Sequence, residues 1–251
     1  MSYDFYGLLP DGRVHWNYFS NLDLVRSKTL GLRKPFWVIT QTGQLDGRKK
    51  PTEKEERWSV WSNIAVGSKG IAYFCYWDPI QNGSGGTAMI NRDGSKTEFY
   101  GWIKQINSDI NTIGKKLLPC HADGAIMDGT IAHPLYDNSG TGRTKYGPVK
   151  SVVGTQEVLC GCFRDARISE NGDNYKGYKV LVMSQMPNRT ITATLTLDSS
   201  VNKITFTHNN TTQMVDLYDA LNTTVGSISI SFENSVLTLG IPDGEAVLLE
   251  F

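Results

Sequence analysis

The groups in this 251-residue chain with most to offer chemically fall at three places: Asp4 and Tyr6, Gln41, and Tyr76, Trp77 and Asp78. Each set closes a short run of apolar and β-branched residues. The carboxylates and the amide can exchange hydrogen bonds with a polar ligand, and the aromatic rings offer flat apolar faces. Asp78 is also well placed simply to start the turn at Pro79. Glu53 and Glu55 stand near the same edge, where helix capping and the helix dipole account for them without catalysis.

These groups need elements to hold them. Pro35 to Gln41 reads as a buried strand. Thr42 to Lys50 is a polar loop. Thr52 then caps a helix, with Glu55 three residues on completing a capping box. Trp58, Trp61, Ile64 and Ala65 recur at helical spacing and predict one apolar face. Gly67 and Gly70 end that helix, and Gly70 to Trp77 is a second strand. Strand, helix and strand in this order make the two strands parallel neighbours. In parallel α/β folds, ligands sit at the carboxyl ends of the strands. Upstream, residues 3 to 7 look like a strand end. A helix is expected from about Asn17 to Leu32, with Phe19, Leu22, Val25 and Thr29 inward. Downstream, a long loop from Asp78 to Ser95 leads to a third helix, from about Glu98 to Leu118, with Phe99, Ile103, Ile106, Ile110, Ile113 and Leu117 on its core side.

From Pro119 onward the helical period disappears. Thr190 to Leu197, Ser227 to Phe232 and Val236 to Ile241 alternate with period two, and Ala246 to Phe251 makes a last strand. Further strands are expected at Gly124 to His133, Val158 to Phe163 and Tyr178 to Ser184. Many short strands punctuated by turns predict a β-sandwich.

Composition excludes several classes. Formal net charge is zero, which argues against nucleic acid as a partner. No apolar run reaches membrane-spanning length. Met1 to Phe5 has neither the basic segment nor the apolar core of a signal peptide, so the expected compartment is the cytoplasm. Cys75, Cys120, Cys160 and Cys162 form no CxxC pairs, and Cys160 and Cys162 share one strand face as small buried residues. His15, His121, His133 and His208 are scattered, so neither a metal nor a cofactor is expected. No nucleophile elbow, phosphate loop or dinucleotide fingerprint occurs. The sequons at Asn82, Asn188, Asn209, Asn210 and Asn222 are chance matches in a chain rich in Asn and Thr.

Three stretches carry a resemblance: Lys34-Pro-Phe-Trp-Val-Ile-Thr-Gln41, Pro51-Thr-Glu-Lys-Glu-Glu-Arg-Trp58, and Gly67-Ser-Lys-Gly-Ile-Ala-Tyr-Phe-Cys-Tyr-Trp-Asp-Pro79. They resemble the last strands of a clan A glycoside hydrolase barrel, of the kind in family 42 β-galactosidases and in bacterial glycosidase-like proteins. The latter also carry a β-sandwich ending in a Gly-Glu pair similar to Gly244-Glu245. The resemblance implies that residues 3–7, 36–41 and 71–77 correspond to barrel strands six, seven and eight. A whole (β/α)₈ barrel takes about 250 residues. The implied architecture is therefore α/β plus all-β. Residues 1–118 would be a partial barrel of about three βα units, and residues 119–251 an antiparallel β-sandwich, together the C-terminal part of a larger enzyme.

The resemblance also bears on chemistry. Retaining glycosidases use two carboxyl groups about 5 Å apart. The family's acid/base follows strand four, which has no counterpart here. Its nucleophile is a glutamate at the end of strand seven, where this chain has Gln41. The resemblance thus implies a sugar-shaped site with no catalytic residue. Its saccharide contacts would be Asp4, Tyr6, Gln41, Tyr76, Trp77 and Asp78, with Trp77 stacked on a pyranose face. Two functions compete: a portion of a glycoside hydrolase that is inactive alone, and a non-catalytic sugar-binding or structural accessory protein. The expected partners are a carbohydrate and either the rest of a barrel or a second copy. An open barrel would expose Phe36, Val38, Ile71, Tyr73 and Cys75, or their alternates, and promote self-association. The sandwich, with both inner faces supplied by its own strands, is expected to fold alone as a monomer.

Overall fold

The computed structural model describes residues 1–45, 47–78, 88–128, 144–154, 157–168, 175–218 and 222–251. His133, the sequon at Asn82 and the end of the strand expected over Gly124 to His133 lie outside them.

Three strands, β1 (Ser2–Asp4), β2 (Trp37–Gln41) and β3 (Gly70–Phe74), form a small parallel sheet in the order β1-β2-β3. Helix α1 (Tyr18–Gly31) lies between β1 and β2 in the chain, α2 (Glu53–Ala65) between β2 and β3, and α3 (Glu98–Leu117) after β3. The capping box at α2 forms in full: Thr52 accepts from the Glu55 N–H, and Glu55 accepts from the Thr52 N–H at 2.9 Å.

Eleven strands follow: β4 (Cys120–Asp128), β5 (Val149–Gly154), β6 (Val158–Asp165), β7 (Tyr178–Ser184), β8 (Ile191–Leu197), β9 (Lys203–His208), β10 (Thr211–Asp216), β11 (Thr223–Val225), β12 (Ile228–Glu233), β13 (Val236–Ile241) and β14 (Ala246–Glu250). They build a six-stranded sheet, β10-β9-β14-β7-β6-β4, and a five-stranded sheet, β11-β12-β13-β8-β5. Alternation along the strands sends Cys160, Cys162, Val180, Val182, Val247 and Leu249 into the core between these two sheets.

The expected architecture, a partial (β/α)₈ barrel of three βα units followed by a sandwich, is not what the chain forms. The described residues are mostly β: fourteen strands in three sheets, 41% strand against 22% helix, with three helices. The physical reason is where the helices bury their faces. The other side of the six-stranded sheet sends Leu159, Phe163, Leu181, Met183, Ala246 and Leu248 into one continuous core with α1, α2 and α3. The helices thus lie between the small parallel sheet and the six-stranded sheet. Four layers result, where a barrel would wrap its helices around itself.

Helix α2 shows this most clearly. It was expected to have one apolar face, yet ten of its thirteen residues are buried, Glu55, Glu56, Arg57, Ser62 and Asn63 among them. It packs against β2 on one side and β6 and β7 on the other. Gly161 permits the close approach, because a side chain there would run into the Ala65 carbonyl at the end of α2.

Of the two faces of the small sheet that the sequence leaves open, the exposed one is the alternate set. Phe36 and Val38 are buried, and Ile71 and Tyr73 pack against the helices. The alternates face outward: Trp37, 53% exposed, lies over Gly70, and Phe74 is 40% exposed.

Candidate functional site

The predicted residues meet at the carboxyl ends of the three parallel strands. At the end of β1, Asp4 is exposed and Tyr6 half-buried. Arg48, from the loop after β2, donates to the Tyr6 carbonyl at 3.1 Å and sets its guanidinium 5.8 Å from the Tyr6 ring centroid. Burial raises the Tyr6 phenol above its ordinary value. The charge of Asp4 adds to the rise and that of Arg48 opposes it.

At the end of β2, Gln41 is buried and committed to its own loop. Its amide nitrogen donates to the carbonyls of Gly43, at 2.9 Å, and Lys49, at 2.7 Å, clamping the two ends of the polar loop together. Its amide oxygen has no partner.

Beyond β3 the chain stays tied to its neighbours through backbone bonds. The Thr42 N–H donates to Phe74 at 2.6 Å, and the Ile90 N–H to Tyr76 at 2.9 Å. The side chains there turn outward: Tyr76 is 59% exposed and Trp77 50%. The Cys75 thiol donates to the Trp77 carbonyl at 3.1 Å, and burial raises its pKa above the ordinary thiol value. Asp78 faces Arg92 at 3.6 Å, while its Oδ1 is buried without a partner. The rim can therefore stack an apolar ring face on Phe74, Tyr76 or Trp77 and accept hydrogen bonds at Asp4.

Glu55 belongs to the scaffold. It pairs with Lys49, accepts from Asn188 at 2.9 Å and closes the capping box. Burial would raise its pKa, but Lys49, Asn188 and the Thr52 N–H together outweigh that and hold it below the ordinary value. Glu56 was not foreseen. It is 1% exposed, and neither of its carboxylate oxygens has a partner. It stands four residues before Val60, on the side of α2 that an amphipathic reading leaves to solvent.

A second buried polar cluster lies away from the rim. Arg57 donates to Asp109 at 2.9 Å and to Asn209 at 2.6 Å, and sets its Nε 3.0 Å from Glu245. Glu245 also meets His208 at 3.0 Å. Gly244 precedes it at φ +77°, where a side chain would strike the Lys54 carbonyl. The Gly244-Glu245 pair is thus the plug that seats the sandwich against α2.

No protein-family model matches the chain, and no curated protein matches it closely. Among the described residues, no helix is long and apolar enough to cross a membrane.

Proposed function

We propose that this chain recognises carbohydrate without hydrolysing it, at the carboxyl rim of the three-stranded sheet. One observation carries the reading: Phe74, Tyr76 and Trp77 are all substantially exposed at the carboxyl rim of a sheet whose first strand ends in the exposed Asp4. Exposed aromatic faces with polar groups at their margin suit the alternating C–H faces and hydroxyls of a pyranose. The resemblance to glycoside hydrolases supports a sugar as the ligand. Gln41 supports the absence of hydrolysis, since an amide cannot act as the carboxylate nucleophile. In this reading Trp77 is the platform, Tyr76 and Phe74 extend it, Asp4 and Tyr6 fix orientation, and Gln41 holds the loop that frames the site. The four free thiols support a reducing compartment such as the cytoplasm.

Titrating galactosides, glucosides and xylosides while following tryptophan fluorescence tests this. A saturable response at millimolar sugar, lost in Trp77→Ala, is expected. No response, or one unchanged in Trp77→Ala, overturns the reading. Turnover of aryl glycosides, abolished by a single Asp or Glu substitution, overturns the non-hydrolytic part.

A further inference from the structure

A small, partly open cavity lies beneath the rim, its lining including Tyr6, Leu8, Gln41, Glu55, Glu56 and Ser59. It has room for about one water-sized sphere, too little for any part of a sugar ring. Its walls present acceptors in need of donors. Both Glu56 carboxylate oxygens and the Gln41 amide oxygen are buried without partners, and the Gln41 nitrogen is spent on two carbonyls. Glu55 brings no help, because Lys49, Asn188 and the Thr52 N–H already engage it. Once the Lys49–Glu55 pair cancels, one negative charge is left over, on Glu56.

We propose that this cavity is an alkali-cation site, taking one dehydrated potassium ion with the Glu56 carboxylate and the Gln41 amide oxygen as ligands. Three arguments select that ion. Burying an unpaired carboxylate is costly, and buried charges are normally paired or coordinate metals. A proton on Glu56 supplies one donor, which serves one acceptor and leaves the rest bare; a cation serves all of them at once. The leftover charge is single, so a monovalent ion balances it where a divalent one would leave an excess. Potassium suits the space because its contacts to oxygen are about as long as the hydrogen bonds of a water molecule. Burial, with the neighbouring Glu55 charge, pushes the Glu56 carboxyl well above its ordinary value, which measures how poorly the carboxylate is served by the protein alone. The ion would fasten the start of α2 to the end of β2.

The test is thermal unfolding of the whole chain in potassium, sodium, calcium or choline chloride at equal ionic strength, for the native protein, E56Q and E53Q. At potassium about a hundred times its Kd, the melting temperature should rise on the order of 5 °C over choline. The rise should persist in E53Q and vanish in E56Q. A comparable response to sodium still supports an alkali site. Equal melting in potassium and choline, a response to calcium alone, or a potassium response retained in E56Q overturns the proposal. Should E56Q fail to fold, crystals of the native protein soaked in rubidium decide. An anomalous peak between Glu56 and Gln41 supports the site, and its absence overturns it.

Discussion

Gln41 shows what a single side chain decides here. It occupies the position where the resemblance expects a nucleophilic glutamate, so Gln41→Glu looks like a restoration. Its geometry predicts the opposite. The amide nitrogen is the donor to the Gly43 and Lys49 carbonyls, and a carboxylate would turn two acceptors against an acceptor. Leaving buried groups without their hydrogen bonds costs about 1–3 kcal/mol each. Gln41→Glu should therefore lower the urea midpoint markedly and yield no glycosidase activity. Hydrolysis appearing in that variant would show that the rim can be a catalytic centre after all. The outward aromatics at the rim were readable in the sequence, because each ends an apolar strand with a known edge. The commitment of Gln41 was not, since its partners are backbone carbonyls two and eight residues away that carry no sequence signal. Glu56 was hidden for a similar reason: a charge on an apparently solvent-facing helix stripe reads as exposed until something covers that stripe.

At the level of elements, α2 is the piece the others depend on. Its capping box, its Trp58 and Trp61 and its end at Gly67 could all be read from local pattern. What the pattern missed is that both flanks are covered, one by β2 and the other by β6 and β7. Local periodicity reports one apolar stripe, and it cannot report a second surface that arrives a hundred residues later. Arg57 fastens that second surface by joining α2 to α3 through Asp109 and to the sandwich through Glu245 and Asn209. Removing one partner of a buried ion pair costs about 3–5 kcal/mol, so Arg57→Ala should destabilise the chain by about that much in urea unfolding. A loss under about 1 kcal/mol would show that the cluster is incidental. The same cluster sets a pH dependence. Burial pushes Glu245 up, but the His208 hydrogen bond and the Arg57 charge together hold it below its ordinary 4.5. A folded-state pKa below the unfolded one adds stability that is fully present above pH 4.5 and lost as pH falls through the folded value. Native protein and Glu245→Gln should accordingly differ most near neutrality, and the gap between their urea midpoints should close as pH drops below 4.5. A gap constant from pH 3 to 7 would rule out this linkage.

On the scale of the whole molecule, the sandwich strands were largely readable because alternation survives wherever one strand face is buried. The layering was not, because the six-stranded sheet is buried on both faces. Its outer side carries Leu159, Phe163, Leu181, Met183, Ala246 and Leu248, all in the core shared with the helices. This argues against the expectation that residues 119–251 would stand alone as a monomer on the strength of their inner faces. Cut free of α1, α2 and α3, that sheet would present a contiguous apolar surface to water, together with Gly161, Glu245 and Asn209, which are shaped to receive α2. Patches of that kind drive association. The fragment should therefore sediment as oligomers or aggregate. The intact chain should unfold in one step, because the helices and the six-stranded sheet share one continuous core. Trp58 and Trp61 are buried in that layer, and the bulk of the β signal comes from the two large sheets. Tryptophan fluorescence and the β component of the far-ultraviolet circular dichroism thus report on different layers, and in a cooperative molecule their urea transitions coincide. Two separated transitions, or a monodisperse monomeric fragment with a sharp transition of its own, would show that the sandwich folds independently and that the shared core contributes little to holding the layers together.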